Sequence, residues 1–560
     1  MGQLKRGAEE LENASLSVPK RAHTQLQSRH RALAQPLGNH LLQSTPYNAR
    51  SPGLGRLAVL PDEIVASIFS ELLAVDAIRC QGVSRAFFAF SRIEGHWKLE
   101  YIKRSRGALG AWKGRWRTTY IGAFLRPPGN TGALPTDSIE NRDLFSDVLY
   151  LPHLASSYDA NTISNASSFS DNIPRKNGRL LSSSDLGQEP VIASGLMDNW
   201  PALPSKTTPG WSLSTIASRF PRTEFRAEAV LTTMEQYEIY HDTCTSDESP
   251  LYIFDAEFVE KSQREKGDAG MAADFEVPPV FRDDLFKVLG KERPNYRWLI
   301  AGPERSGSTF HCDPNGTSAW NAVVTGRKLW ILFPPDTIPP GIMVSEDHSE
   351  VEAPLSLAEW MLNYYHQAKS IYGPRAKDPH LRGKMREGIC EKGEISYVPS
   401  GWWHLVVNLE SSIAITQNFV SPSNLPGVMF FLKHRADQVS GFKLSSNLPP
   451  AVRMTDGTHE YRGEDEDETG GGAAFARFVD ALGRDSPTIC MEGLKALAKL
   501  EMQIAEKDIT SKEAAKRKQG SSKSLWNTVT AMDGKEDSDF PARSGFTLGY
   551  NLDEADMVEV

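Results

Sequence analysis

The sequence predicts an α+β protein. Its core is expected to be a double-stranded β-helix, a jelly roll of two facing antiparallel sheets, with helical elements and a small helical bundle ahead of it. Three observations predict this. Short, apolar, β-rich runs recur through the middle of the chain, separated by turns that contain Gly or Pro. Two of these runs, residues 306–334 and 394–419, carry histidines and a carboxylate of the kind that distant strands bring to one point. Ahead of them, residues 60–101 have their own amphipathic helical pattern.

Composition bounds the classes that remain. The chain has 560 residues, a formal net charge of -9 and five cysteines. That length suits several domains and a large core. The acidic balance argues against wholesale nucleic-acid binding and tolerates basic protein substrates. Cys80, Cys244, Cys312, Cys390 and Cys490 are scattered and form no CxxC pair. A disulfide framework and a structural zinc site are therefore not expected, and a reducing compartment is. No apolar run is long enough to span a bilayer, and the N-terminus lacks a signal-peptide core. The expectation is a soluble intracellular protein with no membrane partner.

Residues 1–55 read as a disordered polar arm with basic clusters at Lys5-Arg6 and Pro19-Lys20-Arg21. Residues 56–104 read as a helical domain. Pro61 suits a first helical turn, and Ile64, Val65, Ile68, Phe69, Leu72 and Leu73 fall on one helical face. Asp76 is placed to cap a second helix, and Val83, Phe87, Phe88, Phe90 and Trp97 continue the apolar set. Residues 105–144 read as a linker. Within them WKGRWRTTY (112–120) is basic and aromatic, expected as a strand or helix end with solvated arginines. Residues 145–440 read as the main domain. It has a Ser/Asn-rich loop at 156–184, strands at 190–194, 225–230 and 249–254, helices at 211–220, 281–289 and 427–438, and an insertion at 335–392. An acidic, Gly-ended linker (441–472), a helical element (473–510) and a mobile polar tail (511–560) follow. The helix after the barrel would either cover it or support a homodimer.

The chemistry lies in SGSTFHCDPNGTSAWNAVVTGRKLWILFP, residues 306–334. Side chains two apart on a strand share a face, so His311 and Asp313 can point to one place. These are two thirds of a 2-His-1-carboxylate triad, the ligand set of non-haem Fe(II) oxygenases. His404, on a short β-rich run after the turn Pro399-Ser400-Gly401, is the candidate for the third ligand; His366 and His380 compete from a polar or helical context. Lys328 sits on a strand where a cation would suit the far carboxylate of 2-oxoglutarate, or would simply cap a strand edge.

At these residues the chain resembles the JmjC (Jumonji-C) family, most strongly its branch known as bifunctional arginine demethylase and lysyl-hydroxylase. The resemblance runs from about residue 145 to 435 and is densest in YRWLIAGPERSGSTFHCDPNGTSAWNAVVTGRKLWILFP and GEISYVPSGWWHLVVNLESSIAITQNF. It implies a cupin-type barrel, with His311, Asp313 and His404 as both catalytic residues and iron ligands. It implies Lys328 as the partner of the distal carboxylate of 2-oxoglutarate. Ser308, where the family often has threonine, and Tyr252, Asn321 and Thr416 match positions lining the same pocket. Fe(II), 2-oxoglutarate and O₂ are then the cofactor and co-substrates. The opening Leu60-Pro61, the segment Val83-Ser84-Arg85 and the later Trp97 resemble an F-box, which implies a Skp-type adaptor of a cullin ubiquitin ligase as partner. A helical cap on the oxygenase domain is the competing reading.

Three function classes follow. The first is a dioxygenase acting on lysine or arginine side chains of a protein, histones included, by hydroxylation or demethylation. Lysyl hydroxylation leads, because it needs no prior methylation. The second is an F-box substrate receptor whose barrel mainly binds. The third is a non-redox cupin holding another divalent metal, against which Lys328, Ser308 and Tyr252 argue. The basic clusters, with Lys516-Arg517-Lys518, suggest the nucleus, with the cytoplasm open.

Overall fold

Strict alternation of side chains along strands that are buried on both sides gives this chain two sheets facing one another. In the computed structural model, residues 47–125, 144–206, 208–245, 247–345, 351–353, 356–443 and 471–506 are described. The strands are β1 (Arg175–Asn177), β2 (Val191–Ser194), β3 (Glu224–Ala227), β4 (Val230–Thr233), β5 (Ile253–Asp255), β6 (Arg297–Gly302), β7 (Gly307–His311), β8 (Ser318–Thr325), β9 (Arg327–Phe333), β10 (Met343–Val344), β11 (Val351–Glu352), β12 (Arg386–Glu391), β13 (Glu394–Val398), β14 (Trp403–Asn408) and β15 (Ser412–Phe419). Nine of them form a sheet in the order β1-β2-β13-β8-β15-β6-β5-β3-β4, and four form a second sheet, β12-β9-β14-β7. All pairs are antiparallel except β1 with β2.

The alternation sorts residues into layers. On β9, Leu329, Ile331 and Phe333 pack outward with Leu405 and Val407 of β14, against Trp360 and Tyr365. Trp330 and Leu332 of β9 and Val406 of β14 point the other way. They meet Ile192, Val323 and Val398 from the larger sheet. This inner layer is the barrel interior. The outer face of the larger sheet, with Leu299, Trp320, Ile395 and Ile415, carries the largest core cluster. The tight β8–β9 link needs Gly326, whose φ is 77° and whose added Cβ would lie 2.3 Å from Ser411 O.

Ahead of the barrel stand α1 (Asp62–Ser70), α2 (Ala74–Cys80), α3 (Arg85–Phe90), α4 (Glu94–Ser105) and α5 (Trp116–Phe124). The apolar face expected over residues 64–73, which span α1 and the turn after it, divides. Val65 and Phe69 are buried with Phe90, Leu144 and Leu149, while Ile64, Ile68 and Leu73 are exposed. Asp76 does not cap α2; it pairs with Arg79 at 2.8 Å, and Leu73 holds the cap position without a side-chain bond. Ser84 does cap α3, accepting from Phe87 N at 3.1 Å.

The stretch 105–144, read as a linker, contributes α5. Trp112, Trp116 and Tyr120 enter the main core together with Trp97 and Tyr101 of α4. The arginines expected in solvent follow them in: Arg117 is buried, its Nη2 donating to Gln81 Oε1 at 2.9 Å. Two buried aromatic anchors on so short a helix, with Trp112 just ahead of it, leave little of it facing water. Other departures are local. The loop 156–184 holds Asn161–Ser164 as a helix, and β1. The strand read at 225–230 is the hairpin β3–β4, turned at Glu228 with φ 51°. The insertion 335–392 ends in β12, an edge strand of the smaller sheet.

After the barrel, α6 (Leu425–His434) and α7 (Gly471–Asp485) pack through Val428, Leu432, Phe478 and Leu482. The face of α6 is thus covered by its own chain. The described residues up to Leu497 make one compact unit, and 498–506 continue a helix. The readings on residues 1–46, on 126–143, on 444–470 and on the tail from 507 lie outside the described residues. No helix among the described residues is long and apolar enough to cross a membrane.

Candidate active site

Two strands of the smaller sheet present the histidines. His311, last in β7, and His404, second in β14, are direct cross-strand partners. His404, Val406 and Asn408 share the inner face by alternation. Asp313 lies just past the end of β7, still in extended conformation (φ -63°, ψ 143°), and so keeps the face of His311. The ligand atoms of His311, Asp313 and His404 lie within 4.8 Å of one another. His366 and His380 are exposed and stand apart from this group.

Neighbouring groups orient all three. His311 Nδ1 lies 2.7 Å from Thr309 O, and His404 Nδ1 lies 3.0 Å from Trp402 O. A carbonyl only accepts, so each Nδ1 carries the proton and each Nε2 lone pair is free to bind a metal. Asp313 Oδ1 accepts from Asn418 Nδ2 at 3.1 Å, while its buried Oδ2 has no partner. Burial raises the Asp313 carboxyl above the ordinary range, against the pull of His311. Burial, with His311 beside it, lowers the His404 imidazole well below its ordinary value. Two imidazole lone pairs and one orphan carboxylate oxygen converging in a buried place fit a divalent cation of the Fe(II) class.

Deeper between the sheets lies a second group. Lys328 is fully buried, and burial pushes its ammonium down to about 7. Its Nζ donates to Asn408 Oδ1 at 2.6 Å and stands 5.8 Å from the Tyr252 ring centre. The Tyr252 hydroxyl is hydrogen-bonded to Ser308 and is pushed up to about 12 by burial. Ser308 and His311 are three apart, which on a regular strand would send them to opposite faces. A bulge between His404 and Val406 in the β14–β7 pairing removes that conflict and turns both inward.

Asn321 and Thr416 are cross-strand partners on β8 and β15, and Ser396 of β13 stands beside Asn321. Thr416 is two residues from Asn418 and shares its inner face. The Thr416 hydroxyl donates to Trp320 O at 3.0 Å, so it is committed to the backbone. Asn321 Oδ1 is buried without a partner and faces the same interior. All eight residues singled out in the sequence therefore line one interior. Two were missed, Asn408 and Asn418. The rule that paired His311 with Asp313 would have found them: Asn408 is His404 plus four, and Asn418 is Thr416 plus two.

Comparison with known proteins agrees with this geometry. A family described as a cupin-like domain matches residues 183–424. The chain is 38% identical over 420 residues to "Arginine-specific demethylase JMJ22" of Arabidopsis thaliana, covering 74% of this chain and 78% of that protein. It is 35% identical over 269 residues to "Bifunctional arginine demethylase and lysyl-hydroxylase psr-1" of Caenorhabditis elegans, covering 46% of this chain and 63% of that one. It is 32% identical over 175 residues to "2-oxoglutarate and iron-dependent oxygenase JMJD4" of Mus musculus, covering 30% and 36%.

Fold and site together define a cupin-like oxygenase. The chain belongs to the JmjC family, and it is a dioxygenase that uses iron, 2-oxoglutarate and O₂.

Proposed function

We propose that this dioxygenase oxidises basic side chains of proteins, with His311, Asp313 and His404 holding the iron and Lys328 holding the distal carboxylate of 2-oxoglutarate. The observation that carries this is the burial of both groups in one interior, with Asp313 Oδ2 unpartnered and Lys328 cut off from water. When bound, iron and 2-oxoglutarate supply the oxidising power, 2-oxoglutarate leaving as succinate and CO₂ while one oxygen atom of O₂ goes to a substrate C–H bond. The protein supplies orientation and exclusion of water. Thr309 O and Trp402 O hold the two imidazoles, Asn418 holds the carboxylate, and Trp330, stacked at 6.0 Å from His404, walls the site with carbon.

A basic substrate is supported by the aromatic run leading outward. Tyr252 and Phe254 are near-parallel at 6.4 Å, and Phe254 and Trp298 at 5.3 Å. Tyr252 is buried and Phe254 is 40% exposed, so the run leads from the pocket towards solvent. Such faces attract cations and their alkyl groups. Arginine demethylation is the first reading, because the relative matched over 74% of this chain bears that name. Oxidation of an N-methyl carbon gives a hemiaminal that collapses to formaldehyde and the demethylated nitrogen. Lysyl hydroxylation is the second reading, favoured by the name of the Caenorhabditis relative; oxidation of a side-chain carbon leaves a stable alcohol. Paired methylated and unmethylated histone peptides distinguish them. Formaldehyde from methyl-arginine peptide alone supports demethylation, and gain of one oxygen on unmodified lysine supports hydroxylation. Stimulation of 2-oxoglutarate turnover by neither peptide overturns the histone reading.

The N-terminal helices support a second role, docking to a Skp-type adaptor as an F-box does. The supporting observation is an exposed apolar set, Ile64, Leu73, Val75 and Val83, beside the buried Val65 and Phe69. In this reading the chain is also a substrate receptor, and it acts in the nucleus, where basic protein tails are abundant. Failure of the full chain to bind any such adaptor reduces the helices to a cap on the barrel.

A further inference from the structure

Asn408 ends β14, four residues beyond His404, and neither it nor Lys328 has any solvent exposure. The two are direct partners across β14 and β9, and Lys328 Nζ donates to Asn408 Oδ1 at 2.6 Å. The far end of the amide decides which way it points. Asn408 Nδ2 faces Gly302 O at 3.3 Å, Pro303 O at 3.4 Å and Ser306 Oγ at 2.9 Å. A flipped amide would set its oxygen against two carbonyls, so the oxygen belongs to Lys328. Ser306 Oγ donates to Pro303 O at 2.6 Å, which leaves it free to accept from Asn408. The backbone repeats the tie: Asn408 N donates to Ser306 O at 2.8 Å, and Arg305 N donates to Asn408 O at 2.9 Å.

An ammonium has three N–H donors. Asn408 engages one, and a carboxylate can take the other two. A neutral acceptor orients the cation without neutralising it, whereas an aspartate here would give Lys328 an internal counter-ion in competition with the ligand. We propose that Asn408 is a positioning residue of the co-substrate pocket, which aims Lys328 at the distal carboxylate of 2-oxoglutarate and anchors that aim to the turn 302–306. This rests on the reading of Lys328 given above.

The test is calorimetric titration of 2-oxoglutarate into the full chain loaded with Mn(II). Asn408→Asp should raise the 2-oxoglutarate Kd at least about tenfold while the Mn(II) affinity stays within about twofold. Asn408→Leu should weaken 2-oxoglutarate by a similar factor in the natural background and add nothing in a Lys328→Met background. If Asn408→Leu does not fold, Asn408→Asp, which keeps the volume and an acceptor oxygen, carries the test. An equal loss in both backgrounds would make Asn408 a merely structural residue and overturn the inference. So would an unchanged Kd in the Asp variant. A natural protein that binds Mn(II) but no 2-oxoglutarate overturns the co-substrate reading itself, along with this inference.

Discussion

His311 and His404 face each other across β7 and β14 with ring centroids 4.1 Å apart and with both Nδ1 atoms turned to backbone carbonyls. Two imidazoles held that close, each with Nδ1 committed to a carbonyl and Nε2 turned to the pocket, are placed to bind one cation together. His311→Ala or Asp313→Ala should therefore lower succinate production at least about a hundredfold. The circular-dichroism spectrum and melting temperature should change little, because the lost atoms face the interior of the pocket. Full succinate production by both variants would disprove the ligand assignment.

Lys328→Ala should raise the 2-oxoglutarate requirement much more than it weakens metal binding. Removing one partner of a buried charge pair costs about 3–5 kcal/mol, which corresponds to roughly a hundredfold to several thousandfold in Kd. Steady-state kinetics over 2-oxoglutarate, with metal binding followed separately, reads the two effects apart.

The pH dependence of 2-oxoglutarate binding should report Lys328. Its ammonium is pushed down to about 7, whereas the carboxylate ligand needs it charged. Binding should be flat below that pH and should weaken by up to tenfold per unit above it, with proton uptake visible as a buffer-dependent heat. The neighbouring titratable groups do not compete in this window: burial pushes Tyr252 up to about 12 and raises Cys390 as well. For folding the sign is opposite. Between about 7 and the ordinary lysine value the unfolded chain binds the extra proton, so this group's contribution to stability rises with pH. A 2-oxoglutarate affinity independent of pH from 6.5 to 9 would show that Lys328 stays charged across that range and refute the lowered ammonium.

The N-terminal helices should prove part of the oxygenase fold. Trp116 Nε1 donates to Asp247 Oδ2 at 2.7 Å, and Lys98 Nζ donates to Ser249 O at 2.7 Å. These bonds hold the segment that leads into Tyr252. Trp116→Ala should cost about 3–5 kcal/mol of stability, and a chain begun at residue 144 should be insoluble or unfolded. A well-folded, active truncation would refute this.

Adaptor docking and catalysis should separate at the surface of α1 and the turn that leads from it into α2. Ile64→Asp with Leu73→Asp should abolish capture by a Skp-type adaptor and leave succinate production unchanged, since both side chains are exposed. Phe69→Ala, in the buried layer beneath, should instead lower the melting temperature.

What the sequence by itself determined is whatever local geometry dictates. A strand repeats every two residues, which already paired His311 with Asp313, and the short apolar runs KLWILF and WHLVVN placed Lys328 and His404 on strands. Ser212, three residues ahead of Thr215, opened its helix as a serine should. Only the tertiary structure decided the rest. The bulge that turns Ser308 inward exists because β7 must match β14. The orientation of the Asn408 amide depends on carbonyls about a hundred residues away in the chain. The stretch 105–144 read as a linker because it is Pro/Gly-rich at 126–136, and its basic, aromatic run at 112–120 as a strand or helix end with solvated arginines. Packing chose the aromatics, since Trp112 and Trp116 bury against Tyr240 and carry Arg117 in with them. Local periodicity sets which way a side chain points; which partner it meets there depends on pairings between distant segments, and no window of sequence contains those.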